Sequence, residues 1–462
     1  MKWISMTALV CLASCPCSAT DDFLSGTAVV DITPPGGYRM SGYFMERLNT
    51  GVRDPLKAKA LVFSQGKVRA ALVFCDLIGI GPGLSRAART KITAKTGIPL
   101  ENIAIAATHS HTGPLYFGAL REHFHKGAVA SKGKDPHEDL DYSVWAAGKI
   151  AEAVIEAART AAPVRIRHGV ASEGRLSFNR RFHMKEGGVR FNPGQLNPAI
   201  VRTAGPIDPA VGIIEFLSAG GTPRASLAVF ALHLDTVGGT EYSADYPRYL
   251  SDELRGAFGK EYTSFFGAGT CGDINHIDVT VKGRRSAGEI GKLLAGTVRG
   301  GIEKLAAVKR PSLAVRRAEV EVPLQRYSKE EIEKARRDME LVGSNKLPFL
   351  HRVKAYKIMA LQLRKSETIS LEVQAFRLSP ELAIVTLPGE VFVELGLAIK
   401  KGSPFSNTLV VELVNDAPGY IPTRKAFTEG SYETVNSRVR TGGGEIMVET
   451  AIGLLKALKK DG

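Results

Sequence analysis

Two histidines separated by one residue stand in the segment ATHSHTGP, which spans Ala107 to Pro114. Imidazole nitrogens bind divalent ions such as Zn²⁺, and two imidazoles that converge can share one ion. The pair, His109 and His111, follows an apolar run, and Gly-Pro ends the segment. The spacing therefore indicates either a metal site or two solvated histidines on a loop, and the pair by itself favours neither.

Strand alternation predicts how this pair is presented. Residues two apart in a β-strand point to the same face, so Ile103, Ile105 and Ala107 would share a side with His109 and His111. The apolar part of that side would anchor the strand in the core. We therefore predict that a buried strand runs through ENIAIAATHSH and presents both imidazoles together at its end.

Three further side chains that can bind metal follow apolar, strand-like runs. His233 comes at the end of ASLAVFALHL, Glu390 ends LAIVTLPGE, and Tyr420 follows NTLVVELVND. Taken singly, each has an ordinary explanation as a capped strand end or a core tyrosine. Enzymes of the α/β class gather their sites at such strand ends. Together with His109, they predict a site of nitrogen and oxygen ligands that suits zinc.

A glycine-rich segment, GAGTCGDINHID, adds a candidate ligand-binding loop. Its glycines permit a tight turn with backbone amides free to face a ligand. Asp273, Asn275 and His276 come directly after the last of these glycines. A glycine-rich turn closed by Asp and Asn side chains is the alternative interpretation.

The elements that would position these residues indicate a mixed α/β protein. Several strand-like runs are apolar almost throughout, as in strands buried on both faces. An apolar spacing of three or four between Ile290 and Leu305 predicts a helix, and residues 144–160 and 445–459 have the same period. We expect central mixed β-sheets flanked by helices in a single large catalytic domain, residues 20–462.

Two segments of this domain are expected to be insertions. Residues 119–141 are polar and basic, which predicts a long loop. Because this loop would directly follow the histidine pair, it is a candidate lid or rim of the site. Residues 328–365 are highly charged and predict a helical hairpin on the outside of the domain.

The composition excludes several classes of protein. The chain has 462 residues, of which 44% are hydrophobic and 23% charged, so a large core is expected and wholesale disorder is not. The net charge of +14 comes from Lys and Arg spread along the chain, without the clustered basic helix of a nucleic-acid-binding protein. We expect no nucleic-acid partner and, at most, weak attraction to an anionic membrane surface or polymer.

The N-terminus predicts export. Residues 1–19 combine one lysine, a short apolar run and small residues, as a signal peptide does, and the run is too short to span a bilayer. Within it, LASC resembles a bacterial lipobox that would leave a lipid-modified Cys15, whereas CSA before Thr20 suits ordinary cleavage. The mature protein would be periplasmic, extracellular or lipid-anchored. The remaining cysteines, Cys75 and Cys271, do not make a disulfide framework.

The ordered motifs resemble the neutral, alkaline, non-lysosomal ceramidase family. Its opening is similar to DITPPGGYRMSGY followed by GVRDPLKAKALVF. Its THTHSGP, Asn-Arg, Gly-Glu and YVTT…YEG motifs are similar to ATHSHTGP, SFNRR, LPGE and GYIPT…YE, so the resemblance runs from about Gly26 to Ser437.

The resemblance implies roles for individual residues. His109, His233, Glu390 and Tyr420 would bind zinc, while His111 would support them without touching the metal. Two further residues would act on the substrate. Tyr432 would be a substrate or oxyanion partner, and Arg180 would help to bind near the reaction centre.

The sequence also departs from the family in two ways. The family's GDVSPN loop carries the serine credited with attacking the amide, and here the loop reads GDINHI, with Asn275 in place of that serine. Family members also carry a C-terminal β-sandwich domain, which is expected to be missing here. These departures imply a lipid-like or other small-molecule substrate that need not be ceramide.

The sequence therefore predicts a zinc-dependent hydrolase of an N-acyl bond, in lipid metabolism or a related process. Zinc activates water, so no side-chain nucleophile is required. His111 or Asp273 would accept the proton, Tyr432 and Arg180 would stabilise the oxyanion, and Asn275 could orient the substrate. Two alternatives stay open: the same scaffold hydrolysing a glycan, ester or peptide linkage, or a non-catalytic metal-containing binding protein.

Overall fold

The computed structural model describes residues 22–342, 346–364 and 366–461. The expected signal peptide, with Cys15, lies outside these residues, so export and lipid anchoring stay predictions. Among the described residues, no helix combines the length and the apolar character that crossing a bilayer requires.

The strands are numbered in chain order. They are β1 Leu24–Asp31, β2 Gly51–Val52, β3 Lys57–Gln65, β4 Val68–Cys75, β5 Ile103–Ala107, β6 Ala162–Ser172, β7 Phe178–Asn179, β8 Arg181–Met184, β9 Val189–Phe191, β10 Ile200–Thr203, β11 Ala210–Ser218, β12 Pro223–Phe230, β13 Glu241–Tyr242, β14 Thr263–Ala268, β15 Ile274–Asn275, β16 Ala306–Ala307, β17 Ala314–Pro323, β18 Thr368–Arg377, β19 Leu382–Thr386, β20 Glu390–Val391, β21 Asn407–Val411 and β22 Tyr420–Ile421.

The helices are numbered in the same way, and a short 3₁₀ helix spans Leu100–Asn102. They are α1 Pro82–Thr96, α2 Gly118–Lys132, α3 Tyr142–Arg159, α4 Tyr246–Phe258, α5 Ala287–Ile302, α6 Lys329–Met339, α7 Phe349–Gln362, α8 Val393–Gly402, α9 Arg424–Glu429, α10 Tyr432–Asn436 and α11 Gly443–Lys460.

Two mixed sheets form the centre of the protein. The larger has the order β14-β12-β11-β6-β1-β3-β4-β5, with β16 paired to β6, and the smaller has the order β17-β18-β19-β21. Most pairs are antiparallel, but β4–β5, β12–β14 and β19–β21 are parallel. Each parallel pair places two strand carboxyl ends side by side, where loops can gather a site, but β12 and β14 run opposite to β4 and β5 in the larger sheet.

The two sheets pack face to face, and helices cover their outer faces. Phe74 and Phe265 of the larger sheet share one buried cluster with Ile384 and Leu409 of the smaller sheet. Helices α3, α4 and α5 pack on the outer face of the larger sheet, and α8 and α11 on that of the smaller one. Every residue of β5, β19 and β21 is buried, which explains why their sequences are apolar apart from Thr386, Asn407 and Thr408. The predicted mixed α/β fold is confirmed.

The prediction of a loop over residues 119–141 is wrong, because α2 occupies Gly118–Lys132. The segment is polar, but it is rich in residues that favour helix, and Leu120 packs with Leu115 and Ile358 under α7. Gly133, with a φ of 75°, ends the helix.

The helical hairpin predicted for 328–365 is present as α6 and α7, which pack against each other. A capping box between Ser328 and Glu331 begins α6. Whether either segment is an insertion stays a prediction.

Candidate metal centre

The predicted metal-binding residues lie in loops and short strands that follow buried strands. His109 and His111 come after β5, His233 after β12, Glu390 after β19 and Tyr420 after β21. The parallel pairing of β20 with β22 sets Glu390 directly opposite Tyr420. Strands from both sheets therefore deliver side chains to one place.

Three imidazoles meet at this place. The Nε2 atoms of His109 and His233 are 3.1 Å apart, those of His111 and His233 are 3.1 Å apart, and those of His109 and His111 are 3.3 Å apart. All three side chains are largely buried. The structure differs here from the implied role of His111, since its Nε2 atom stands in the same triangle as the other two. We call these residues the histidine cluster.

The first histidine is held in an uncommon backbone conformation. His109 has a φ of 82°, in the left-handed region that few residues other than glycine adopt. Its backbone N–H donates to Leu77 O at 2.9 Å, and its Nδ1 lies 2.6 Å from Ile78 O. The ring contact places a proton on Nδ1, so Nε2 presents a lone pair to the cluster.

The other two rings are neutral and incompletely satisfied. Burial lowers the pKa of His111 to about 4 and that of His233 far below its usual value. Asp235 Oδ1 lies 3.6 Å from His111 Nδ1 and accepts a 2.7 Å hydrogen bond from Tyr43. Carboxylates commonly orient metal-binding histidines from this position.

A carboxylate and two tyrosines border the histidine cluster. Glu390 Oε2 lies 3.4 Å from His109 Nε2 and makes no hydrogen bond among the described residues. Burial alone would raise the pKa of Glu390, but the neighbouring His109, Tyr420 and Arg180 hold it below its usual value. Burial raises the pKa values of Tyr420 and Tyr432 well above normal, so both hydroxyls keep their protons.

Arg180 is buried behind these tyrosines instead of opening into the cavity. Its Nε donates to Glu433 Oε1 at 2.9 Å, its Nη2 donates to Gly272 O at 2.6 Å, and its guanidinium lies 5.4 Å from the ring centre of Tyr420. The buried Glu433 also accepts a 3.0 Å hydrogen bond from Arg181. Arg180 therefore positions the site and adds positive charge to it.

The glycine-rich loop braces the site through backbone contacts. A Cβ at Gly272 would lie 2.5 Å from Glu390 O, so the loop packs directly on the Glu390 backbone. Asp273 accepts from Val393 N and from Asn179 Nδ2, each at 2.8 Å, and burial raises its pKa to about 6. Both oxygens of Asp273 are therefore engaged in joining the loop to Asn179 of β7 and to Val393 at the start of α8.

Asn275 is likewise committed to the loop. Its Nδ2 donates to Asn192 Oδ1 at 2.8 Å, and its Oδ1 accepts the Ile277 N–H at 3.0 Å. In addition, Asn275 pairs with Phe178 between β15 and β7. These contacts do not leave its amide free to orient a substrate.

The donor set fits a divalent metal ion. Ligand nitrogens about 2.0–2.1 Å from a tetrahedral zinc ion lie about 3.3 Å from one another, close to the spacing of the histidine cluster. Each neutral imidazole has one N–H and one lone pair. Each Nε2 atom offers either a proton or a lone pair, so hydrogen bonds cannot satisfy all three contacts of the triangle, whereas a shared cation satisfies all three. Glu390 Oε2 supplies a fourth donor.

The histidine cluster opens into a cavity of about 550 Å³. His109, His111, Glu390, Tyr420 and Tyr432 line one part of it. The remaining wall is largely apolar and comes from the loop before α2, from α2 itself and from α7. The segment predicted as a lid therefore does border the site, as a helix.

Several residues of the site carry no strong signal in the sequence. Asp235 stands two positions after His233, and this proximity is the one local indication in the sequence that Asp235 belongs to the site. Glu433 adjoins Tyr432 in the YE motif, whereas Arg364 and Arg438 are distant in sequence from the ligands and are brought to the site only by tertiary packing.

Comparisons with known proteins identify structural relatives. No protein-family model and no curated protein sequence matches the chain. The neutral ceramidase of Pseudomonas aeruginosa has a similar structure, with a TM-score of 0.73 and 19% identity, covering 96% of this chain and 75% of that one. A ceramidase complexed with C2 gives a TM-score of 0.70 and 18% identity, covering 96% and 76%. The protein therefore has the fold of the neutral ceramidases.

Proposed function

We propose that the protein is a zinc-dependent hydrolase that cleaves an N-acyl bond. The convergence of three imidazole nitrogens beside Glu390, at one end of a largely apolar cavity, carries this proposal. The shared fold supports it, because the structural relatives are ceramidases, and a ceramidase cleaves an amide.

The proposed ligands are the Nε2 atoms of His109, His111 and His233 together with Glu390. Tyr420, beside the Glu390 carboxylate, helps to hold the pKa of that ligand low and so keeps it ionised. When bound, zinc supplies Lewis acidity and lowers the pKa of water, so that a side-chain nucleophile is not required. The replacement of the family serine by Asn275 is therefore compatible with hydrolysis.

The chain's own residues then bind and polarise the amide. Tyr432 lines the cavity, and its protonated hydroxyl can donate to a carbonyl oxygen as it gains negative charge, whereas the single proton of Tyr420 is directed to Glu390. Arg180 lies behind these rings, and its positive charge favours the same build-up of charge without touching substrate. The apolar wall excludes water and binds an acyl chain.

Metal analysis combined with turnover tests the proposal. We expect purified protein to contain about one zinc per chain, and to cleave a fatty-acyl amide in a reaction that a chelator stops and added zinc restores. His233→Ala removes a ligand from the centre of the histidine cluster, so it should lose both zinc and turnover. His351→Ala, at an exposed position of α7, is the matched control and should keep both.

The outcomes separate this proposal from its alternatives. Full zinc content and full turnover in His233→Ala would refute the metal site. Chelator-sensitive cleavage of esters, glycosides or peptides but not amides would assign a different linkage. Stoichiometric zinc without turnover on any of these substrates would indicate a binding protein.

A further inference from the structure

Two arginines line the cavity next to the histidine cluster. Arg364 follows α7, and Arg438 follows α10. The wall around them is apolar, and it includes Leu115, Phe117, Leu120, Ala360 and Leu363. A positive charge in such a wall is costly unless something pairs with it. Neither guanidinium has been used by the proposed mechanism.

Arg438 is buried and poorly partnered. It is only 9% exposed, and its side chain makes one hydrogen bond, from Nη2 to Tyr356 OH at 3.1 Å. Its guanidinium also lies 5.5 Å from the Tyr356 ring centre. Among the described residues, no carboxylate oxygen comes within 4.0 Å of Arg438 or of Arg364.

The local charge is positive. Asp416 is the acidic residue that influences both arginines, but its Oδ1 accepts the N–H of Ala417 at 2.7 Å. Burial lowers the pKa of the adjacent Lys357 to about 7, and the positive charges of Lys354 and Arg438 lower it further. One carboxylate facing two guanidiniums leaves one positive charge without a carboxylate of its own in this part of the cavity.

The position of Arg438 sets where its ligand would lie. A Cβ at Gly419 would stand 2.5 Å from Arg438 Nη1, so the guanidinium packs directly on Gly419. Gly419 precedes Tyr420, and its carbonyl accepts the Glu390 N–H at 3.0 Å. An anion held by Arg438 would therefore lie close to the scissile bond, not at the far end of an acyl chain.

We propose that the substrate is an N-acyl compound whose amine portion carries an anionic group, a carboxylate or a phosphate, bound by Arg438 and Arg364. Guanidinium groups remain charged in proteins and match the geometry of carboxylate and phosphate oxygens. The apolar wall takes the acyl chain. This inference rests on the proposed amide hydrolysis for its chemistry, but not for its binding site.

Three substrates with the same acyl chain test whether the protein prefers an anionic amine portion. N-lauroylglycine and N-lauroyl phosphoethanolamine carry the two anions, and N-lauroylethanolamide is the neutral counterpart. We expect kcat/KM to favour at least one anionic compound over the neutral one by about 10-fold or more in the wild-type protein. Arg438→Gln should remove most of that preference, measured as the ratio of kcat/KM for the anionic and neutral compounds, mainly through KM for the anionic compound. Arg336→Gln, an exposed arginine of α6, is the matched control and should keep it.

Binding provides a readout that does not depend on turnover. The ketone analogues of N-lauroylglycine, N-lauroyl phosphoethanolamine and N-lauroylethanolamide, in which a methylene replaces the amide nitrogen, cannot be hydrolysed at this position. The zinc-loaded protein should bind at least one anionic ketone about 10-fold more tightly than the neutral one, and Arg438→Gln should lose this difference. Contacts between the ketone and the metal are the same for the anionic and the neutral compound. They therefore cancel when the two affinities are compared, in the wild-type protein and in Arg438→Gln alike.

Each possible outcome either supports or overturns the inference. Equal affinity for anionic and neutral ketones, or an unchanged preference in Arg438→Gln, would overturn the inference. An arginine-dependent preference among the ketones without cleavage of any amide would support the binding site and refute the proposed hydrolysis. The comparison of glycine with phosphoethanolamine decides between carboxylate and phosphate.

Discussion

Lys357 of α7 makes the stability of this protein depend on pH in an unusual direction. Its side chain is 2% exposed, and Nζ donates to Gln325 Oε1 at 3.0 Å and to the hydroxyl of Tyr327. Burial, helped by the charges of Lys354 and Arg438, lowers its pKa from 10.5 to about 7. A buried amine with neutral acceptors and no carboxylate partner is unfavourable in its charged form.

The sign follows from proton binding. Below pH 7 the folded and unfolded states both hold the proton, and the folded state carries the full cost of the buried charge. Between about pH 7 and pH 10.5 the folded state has released the proton while the unfolded state keeps it, so the free energy of unfolding rises with pH. At about 1.4 kcal/mol per pKa unit, the rise is about 2 kcal/mol between pH 7 and pH 9.

Urea unfolding at pH 7, 8 and 9 measures this rise. The variant Lys357→Met keeps the aliphatic stem, and Tyr327 still donates to Gln325 at 2.5 Å. The free energy of unfolding of wild type minus that of Lys357→Met should increase by about 2 kcal/mol over this range. Lys354→Met, which changes a lysine whose side chain is 49% exposed, should show no such increase. Parallel pH profiles for wild type and Lys357→Met would refute the reasoning.

Two further substitutions probe the glycine-rich loop. Gly272→Ala would place a methyl group 2.5 Å from Glu390 O, so we expect Glu390 to shift and metal affinity to fall by about 10-fold or more, whereas Gly300→Ala, in open space on α5, should not change it. Unchanged zinc affinity in Gly272→Ala would contradict this. Asn275→Ser should lose the bond to Asn192, cost about 1 kcal/mol of stability and leave amide turnover within a few-fold. A gain of 100-fold or more in Asn275→Ser would show instead that the missing serine limits the chemistry.

The sequence predicted the sheets and the strand ends well, for a physical reason. A strand buried on both faces must be apolar along its length, so a polar residue directly after it marks the edge of the sheet. His233, Glu390 and Tyr420 were recognisable in this way. The sequence could not show that these strand ends meet, because β5 and β12 run in opposite directions in the larger sheet, and β19 and β21 belong to the smaller one.

The sequence could not reveal the residues whose importance depends on packing. Nothing around Arg438 marks it as buried in an apolar wall, since its burial comes from Tyr356 and Gly419. The helical character of α2 was missed for a related reason. Its polarity indicated solvent, whereas the contacts of Leu120 beneath α7 arise only when both helices are in place.

The histidine pair shows where strand alternation stops being a sufficient argument. Residues two apart in a strand are about 6.6 Å apart along the chain, so alternation presents two parallel imidazoles but does not make their nitrogens converge. Here β5 ends at Ala107, and the left-handed conformation of His109 turns the chain so that its Nε2 comes 3.3 Å from that of His111.

Such a conformation costs about 1–3 kcal/mol, and it persists only if the surroundings impose it. The backbone of Leu77, the carbonyl of Ile78 and the close packing of Gly42 on His111 impose it without reference to any ion. The strain is therefore set by these contacts of the fold. The histidine cluster is therefore preorganised. If a bound ion alone shaped this loop, no protein contact would hold His109 in the left-handed backbone region.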